Sequence, residues 1–441
     1  MKISKIHDKI DRYYFNNQDI SEQEMRHSRL MLILSGPTAG IINTLTAGSF
    51  FIGYLVYLGA ADQYCAIISA IPQLGSILMM FSPYLFERLK HRKLLICISC
   101  FLFRCSVSSV IFVPYLVHGR VPRLTVILIL YTIGFLAAGF VTPGLSHWTL
   151  SVAPEGNRGR FLAIKDIASM SCISVVSMIA GRMLDHYKAV DKPLIGFSLI
   201  FGTALLLSVI DFVVLSNIEE PLVKTEPAKR SLWQLIKTPV LDRRYNKIIL
   251  FLVIWSFAVQ FSAAFLPIFM LSKLKLSYTF ISFVTVSGNV FGMAAVYLWG
   301  RLADRTSWLF LLKISGVIIA LCYLGWSFVT PENANILVLL LQISLTCCNG
   351  AFQMASLNLQ YNLSPIAGKT AYLGVTSAIS YCISFLGAIL GSALYRSLKE
   401  VRINIIITYV SNIQVLFLTT GLLLMSAILV IHKSHQGLSK I

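Results

Sequence analysis

The chain has 441 residues, of which 56% are hydrophobic and only 13% carry charge. Soluble domains carry about 25% charged residues, so this composition excludes an ordinary soluble protein and points to a polytopic membrane protein. The formal net charge of +18 would suit a nucleic-acid binder, but its distribution, counted below, makes that partner unnecessary.

The chain opens with a polar, charged tail of 28 residues, which offers no cleavable signal peptide. In this tail Ile3, Ile6, Ile10 and Tyr13 recur near helical period among Lys2, Lys5, Lys9 and Arg12. A short helix lying on a membrane surface and a disordered tail both fit that pattern. Twelve apolar runs follow, each long enough for a hydrocarbon core about 30 Å thick. They cover roughly 30–57, 64–85, 93–117, 124–149, 161–185, 194–218, 247–272, 277–302, 308–328, 335–361, 371–395 and 410–431.

One connection is long. It runs from Glu219 to Asn246, is charged and contains proline. The expected organisation is therefore a tail (1–28), a first six-helix bundle (29–218), a linker (219–246), a second bundle (247–431) and a tail (432–441). The fold class expected is all-α and polytopic, with twelve transmembrane helices in two pseudo-symmetric bundles.

Lysine and arginine set the orientation. With the N-terminus placed in the cytoplasm, inner segments hold 26 of the 37 cations and outer segments about ten. Both termini are then cytoplasmic, as an even number of spans requires, and a plasma (inner) membrane is the expected location. Nine cysteines lie almost entirely within apolar runs. Cys97 and Cys100 form a C-x-x-C without histidine or acidic company, so they read as small packing residues rather than a metal or redox site.

The most informative segment runs from Ala334 to Leu363. At about 100° per residue, Gln342, Thr346, Asn349, Gln353, Ser356 and Gln360 share an arc of about 80°. Polar groups facing lipid would go unsatisfied, at several kcal/mol each. The stripe therefore faces protein or a water-filled cavity. Interhelical hydrogen bonding is the plain alternative.

Charges within spans are costly and are functional candidates. Arg104 lies about 16 Å along the third span and Asp211 about 10 Å from the inner end of the sixth. A buried Arg104–Asp211 pair would hold the first bundle together; snorkelling by Arg104 alone is the alternative. His147 and Trp148 end the fourth span and read as packing residues. Arg182 and Asp185, three apart on a helix, read as a local ion pair.

The halves echo each other. "PYLFER" (83–88) follows the second span and "GRLADR" (300–305) the eighth, an offset of 217 that aligns Glu87 with Asp304 and Arg88 with Arg305. "APEGNRGRFLAIKD" (153–166) opens the fifth span and "SPIAGKTAYLGVTS" (364–377) the eleventh, aligning Arg158 with Lys369. Such internal symmetry suggests a transporter built around a central site.

These motifs resemble the major facilitator superfamily. "GRLADR" is similar to its loop signature, "PYLFERLKHRK" to a degenerate copy ending in a basic cluster, and "PEGNRGRFL" to the start of the fifth helix in many members. The resemblance covers essentially the whole chain. It implies that the first, fourth, seventh and tenth helices surround a cavity, which agrees with the stripe on the tenth span. Asn43 on the first span and Gln260 on the seventh join Gln342, Thr346, Asn349 and Gln353 as candidate substrate-binding residues. Amides beside aromatics suit a sugar-like or amphiphilic solute. Pro37, Pro143 and Pro267 sit within spans and would break or kink them.

The same arrangement gives a cytoplasmic gate. Asp304 would meet Arg158 and Arg160, and Glu87 would meet Lys369, with Arg88 and Arg305 alongside. Each carboxylate would also approach a helix N-terminus, where negative charge is favoured by about 0.3–1 kcal/mol. Two departures lower the expectation of a drug/proton antiporter. The fifth span lacks a Gly-Pro pair, and the fourth, "LILYTIGFLAAG", carries no arginine.

The function expected is secondary active or facilitated transport of a small organic solute by rocking-bundle alternating access, in a monomer within the bilayer. A coupling proton or ion remains open; no enzyme activity, cofactor or metal is expected. A proton-coupled exporter of amphiphilic compounds and a non-transporting sensor or scaffold are the alternatives.

Overall fold

The computed structural model describes residues 14, 20–82, 89, 91–154, 157–221, 232–365, 369–398, 403–405 and 408–433. Twelve helices among them are long and apolar enough to cross a membrane. They are span 1 (Glu22–Tyr57), span 2 (Asp62–Met80), span 3 (Lys93–Leu116), span 4 (Arg120–Val152), span 5 (Arg158–Ala189) and span 6 (Pro193–Ser216). A short helix, Leu232–Leu241, lies in the linker. Then come span 7 (Tyr245–Lys273), span 8 (Tyr278–Arg305), span 9 (Trp308–Trp326), span 10 (Ala334–Leu363), span 11 (Tyr372–Ser397) and span 12 (Asn412–His432). A small antiparallel pair, β1 (Ile403–Ile405) and β2 (Thr408–Val410), joins the last two spans.

Span 1 begins eight residues earlier than its apolar run because a capping box starts it. The Ser21 side chain accepts from the Glu24 N–H, and the Glu24 carboxylate accepts from the Ser21 N–H. Spans 8 and 9 are likewise capped, by Ser277 and Ser307.

Two of the three prolines singled out in the sequence leave their helices unbroken. Pro37 and Pro143 lie inside uninterrupted helix. Span 1 breaks instead at Ala47–Gly48, where Gly48 has φ +56°, a left-handed conformation that glycine adopts without strain. Pro267 does accompany a break. The span 7 helix is interrupted at Ala264 and ends in a π-turn over Phe269–Lys273. A proline at 267 cannot donate to the carbonyl at 263, which accounts for the interruption.

The chain packs as two compact units. The first holds Met1–Ala47, Leu78–Ser177 and Lys192–Lys229; the second holds Gly48–Ile77, Met178–Asp191 and Arg230–Ile441. These units do not follow the two sequence halves. Spans 1, 2 and 5 each pass from one unit to the other.

Within the first unit an apolar core gathers Leu32, Ile96, Cys97, Cys100, Trp148, Phe161 and Leu215. Both cysteines of the C-x-x-C are therefore packing residues in a buried cluster. Small residues bring helices close. Gly36 sits against Ser169 and the Lys165 stem, and Gly40 against Ile173, so span 1 lies directly on span 5. At its N-terminal face the unit is tied by Glu220, whose carboxylate accepts the N–H groups of Arg92 (2.9 Å) and Lys93 (2.9 Å) at the start of span 3. The Trp148 indole donates to the Glu219 carbonyl at 3.0 Å.

In the second unit, Gly387 and Gly391 of span 11 lie against the Phe257 and Phe261 carbonyls of span 7. Thr420 of span 12 donates to Ser262 of span 7 at 2.8 Å. Span 10 packs on spans 8 and 9.

Candidate functional site

The polar stripe of span 10 divides into three parts. At one end Ser356 and Gln360 are buried and satisfy each other, the Gln360 amide donating to Ser356 Oγ at 3.2 Å. Thr346 donates to the Gln342 carbonyl at 2.9 Å, and its side chain fills the space left by Gly288 and Gly292 of span 8. Those two residues of the stripe, and Thr346, are satisfied within span 10 itself rather than by the interhelical bonds of the plain alternative. Between them Asn349 and Gln353 are exposed, and Gln342 is half-buried. None of these three side chains has a hydrogen-bond partner among the described residues.

The geometry of the second unit says which way Asn349 and Gln353 face. Thr346, on one flank of the stripe, touches span 8. Phe352, on the other flank, stacks on Trp255 of span 7 at 4.0 Å between ring centroids. The amides thus point into the angle between spans 7 and 8. An exposed amide facing lipid would go unsatisfied, so these two side chains call for water or another polar partner. Trp255 and Phe352 are both buried, so they form a rigid wall rather than open stacking faces.

Asn43 of the first unit is exposed and Gln260 of the second is half-buried, both without hydrogen-bond partners among the described residues. Asn289 of span 8 shares this condition, beside Gly288. The sequence does not single it out, because one asparagine in an apolar helix carries no periodic signal.

The structure brings Arg104 and Asp211 together. The pair is buried, with Arg104 7% exposed and Asp211 0%. The other carboxylate oxygen accepts from Ser35 Oγ (2.9 Å) and from Thr38 Oγ1 of span 1. The cluster therefore joins spans 1, 3 and 6 of the first unit. The two hydroxyls carry no charge and lie on a different span, so the sequence does not reveal them.

The expected gate residues are placed unevenly. Arg158, Arg160, Asp304 and Arg305 are all exposed at helix ends. Lys369 begins the helix that contains span 11. Glu87 and Arg88, and the side chain of Lys369, lie outside the described residues.

Asp185 corrects the sequence reading. Instead of a local pair with Arg182, its carboxylate crosses to span 8 within the second unit. It accepts the N–H of Tyr278 (2.9 Å), the N–H of Thr279 (2.8 Å) and the Thr279 hydroxyl (2.6 Å). The physical reason is that i, i+3 spacing competes with a free helix N-terminus that sequence spacing cannot see. Among the described residues, no group of histidine, cysteine or acidic side chains could hold a metal ion.

Twelve helices long and apolar enough to cross a membrane, with exposed amides on span 10, describe a polytopic membrane fold. The Major Facilitator Superfamily profile matches residues 167–392, and the chain belongs to that family. Solved structures share the fold. A point mutant of the nucleoside transporter NupG superposes with a TM-score of 0.68 at 13% identity, covering 91% of this chain and 98% of that one. A D-xylose-proton symporter gives 0.68 at 15% identity, covering 92% and 96%. The xylose transporter XylE from E. coli, partially occluded and inward open, gives 0.65 at 14% identity, covering 93% and 98%. No curated protein matches the chain significantly.

Proposed function

We propose that this protein is a secondary carrier, active or facilitated, that moves a small uncharged polar or amphiphilic organic solute by rocking-bundle alternating access. The observation that carries the reading is the exposure of Asn349 and Gln353, without hydrogen-bond partners among the described residues, deep in an apolar helix. Amides there must be hydrated or must bind something that replaces the water. Gln342, Asn43 and Gln260 are the further polar groups assigned to the solute, with Thr346 acting through the shape of the wall. A solute drives the cycle only by binding one state better than the other. The named solutes of the structural neighbours, a nucleoside and xylose, belong to the same uncharged, hydroxyl-rich class.

In this reading Asp304 with Arg158 and Arg160, and Glu87 with Lys369, close the cytoplasmic side, with Arg88 and Arg305 adjacent. Both termini are cytoplasmic, the unit of function is a monomer in the plasma (inner) membrane, and a coupling proton or ion is compatible with it. The test is a thermal-shift screen of sugars, nucleosides, amino acids and amphiphilic drugs, run on wild type beside Asn349→Ala/Gln353→Ala. Because neither side chain has a hydrogen-bond partner among the described residues, the double variant should keep its stability to within about 0.5 kcal/mol. A compound that stabilises wild type alone, and is taken up by wild-type proteoliposomes alone, supports the carrier. A well-folded double variant that transports and binds as wild type does would overturn the assignment.

A further inference from the structure

Three spans pass between the two units, and what holds their second-unit ends in place is specific. The C-terminal ends of spans 1 and 5 and the N-terminal end of span 2 all reach the membrane face opposite the N-terminus, the distal face. So do the C-terminal end of span 11 and the N-terminal end of span 8. On this face Asp185 of span 5 caps span 8 through three hydrogen bonds, to Tyr278 N, Thr279 N and Thr279 Oγ1. One turn before Asp185, Gly181 lies against span 8, where an added Cβ would come within 2.9 Å of both the Tyr278 carbonyl and Ser282 Oγ. Asp62 of span 2 accepts from the Tyr395 hydroxyl of span 11, and that ring packs on Phe265 of span 7 at 4.9 Å. The Tyr278 ring stacks on Phe50 of span 1 at 6.1 Å, and its hydroxyl occupies the space beside Gly53 that a Cβ would fill.

We propose that Asp185, Thr279, Tyr278, Asp62 and Tyr395 form a distal latch, and that capping of span 8 by Asp185 is the step that must be undone for this face to open. Two carboxylates act from the first half of the sequence on two acceptor helices of the second half. They engage different chemistry: one caps backbone N–H groups, the other takes a phenol. Opening strands the Tyr278 and Thr279 N–H groups at a helix end, leaving Ser277 to cap span 8. It also draws the Tyr278 hydroxyl out of the Gly53 notch. Gly48 has a left-handed backbone and, among the described residues, open space where a side chain would sit, so it gives the end of span 1 a place to bend. The latch is independent of what the solute is.

A native reporter lies beneath it. Cys65 is 0% exposed and sits three residues from Asp62, on the same face of the helix Asp62–Ile68. The experiment is maleimide labelling of Cys65 in nanodiscs, followed by peptide mass spectrometry to separate it from the exposed Cys172 and Cys382. Wild type is compared with Thr279→Val, Tyr395→Phe and the two combined, each of which removes a hydroxyl and leaves the fold intact. Labelling of Cys65 should be slow in wild type, several-fold faster in each single variant and about tenfold or more faster in the double. Cys172 labelling, as an internal control, should stay constant. Equal Cys65 rates in all four proteins, with unchanged melting temperatures, overturn the latch. A parallel rise at every cysteine with a lowered melting temperature also overturns it, since the hydroxyls would then be general stabilisers. The solute screen and this experiment can fail separately, because no solute is used here.

Discussion

Replacing Asp211 by leucine leaves the Arg104 guanidinium buried without a counter-charge, and such half-broken pairs cost about 3–5 kcal/mol. Two hydroxyls are also affected. Ser35 loses its acceptor, worth about 1 kcal/mol, whereas Thr38 still reaches the Ser35 carbonyl at 3.0 Å. Arg104→Leu strands the carboxylate instead, but Ser35 and Thr38 continue to donate to it, so that variant should suffer less, by about 1 kcal/mol. Arg104→Leu/Asp211→Leu removes both charges. A buried pair exchanged for apolar residues is neutral to stabilising by about 1–4 kcal/mol, less the orphaned Ser35. The double variant should therefore lie between about 1 kcal/mol below and about 3 kcal/mol above wild type, and above both singles. Asp211→Asn removes the charge while leaving an amide oxygen to accept from the Ser35 and Thr38 hydroxyls, and should fall nearly as far as Asp211→Leu. The assay is equilibrium unfolding in mixed micelles with a denaturing detergent, fitted as a double-mutant cycle. A double variant whose loss equals the sum of the singles would refute the pair as the binding element of spans 1, 3 and 6. So would an Arg104→Leu variant of wild-type stability, which is what a snorkelling arginine predicts.

Two further tests address packing and gating. Gly391→Ala drives a methyl into the Phe261 carbonyl and should part spans 7 and 11, costing about 2 kcal/mol or more by the same unfolding assay, whereas Gly202→Ala meets nothing within 4 Å and should gain up to about 1 kcal/mol from helix propensity. Asp304→Lys should cut solute uptake at least tenfold while leaving the melting temperature unchanged, because the side chain is exposed, and Arg158→Asp in the same chain should restore it; normal uptake by Asp304→Lys alone would remove the cytoplasmic gate.

Much of this fold is legible because hydrocarbon imposes a simple rule. Every backbone group must be satisfied within a helix, so an apolar run of sufficient length reports a span directly. All twelve runs become spans for that reason. The ends are less legible. Span 1 starts at Glu22 through a capping box whose residues are as polar as the tail before them. The Arg104–Asp211 contact can be anticipated because two opposite charges in apolar surroundings have few other ways to be satisfied. The stripe is visible as a period, yet its period does not say which members are buried. Thr346 and Gln360 have the same angular claim as Asn349 and Gln353, and only the glycines of span 8 and the Ser356–Gln360 bond separate them. Asp185 misleads for the opposite reason. A nearby arginine is visible in the sequence, whereas the uncapped N–H groups of Tyr278 and Thr279 are not.

The helix breaks show how a repeat can persist in structure after it has faded from sequence. The offset of 217 that aligns Glu87 with Asp304 carries Ala47 and Gly48 onto Ala264 and Phe265. Both spans 1 and 7 are interrupted at these equivalent points. The means differ. Span 1 turns at a glycine with positive φ, which tolerates the turn; span 7 is interrupted ahead of Pro267, which removes a donor, and then winds into a π-turn. No residue comparison of the two segments would match glycine to phenylalanine, so the symmetry is carried by the shape each achieves. It is the interruption that is shared, and a shared interruption in paired helices marks the place where each can bend. Gly48→Ala should stiffen span 1 by forcing a side chain into φ +56° without meeting any neighbour, a cost of roughly 1 kcal/mol felt at the break itself. If bending at 47–48 is part of the cycle, that substitution slows uptake while solute affinity stays within about twofold. If the break is only a packing accommodation, uptake and affinity are both unchanged, and the stability loss alone remains.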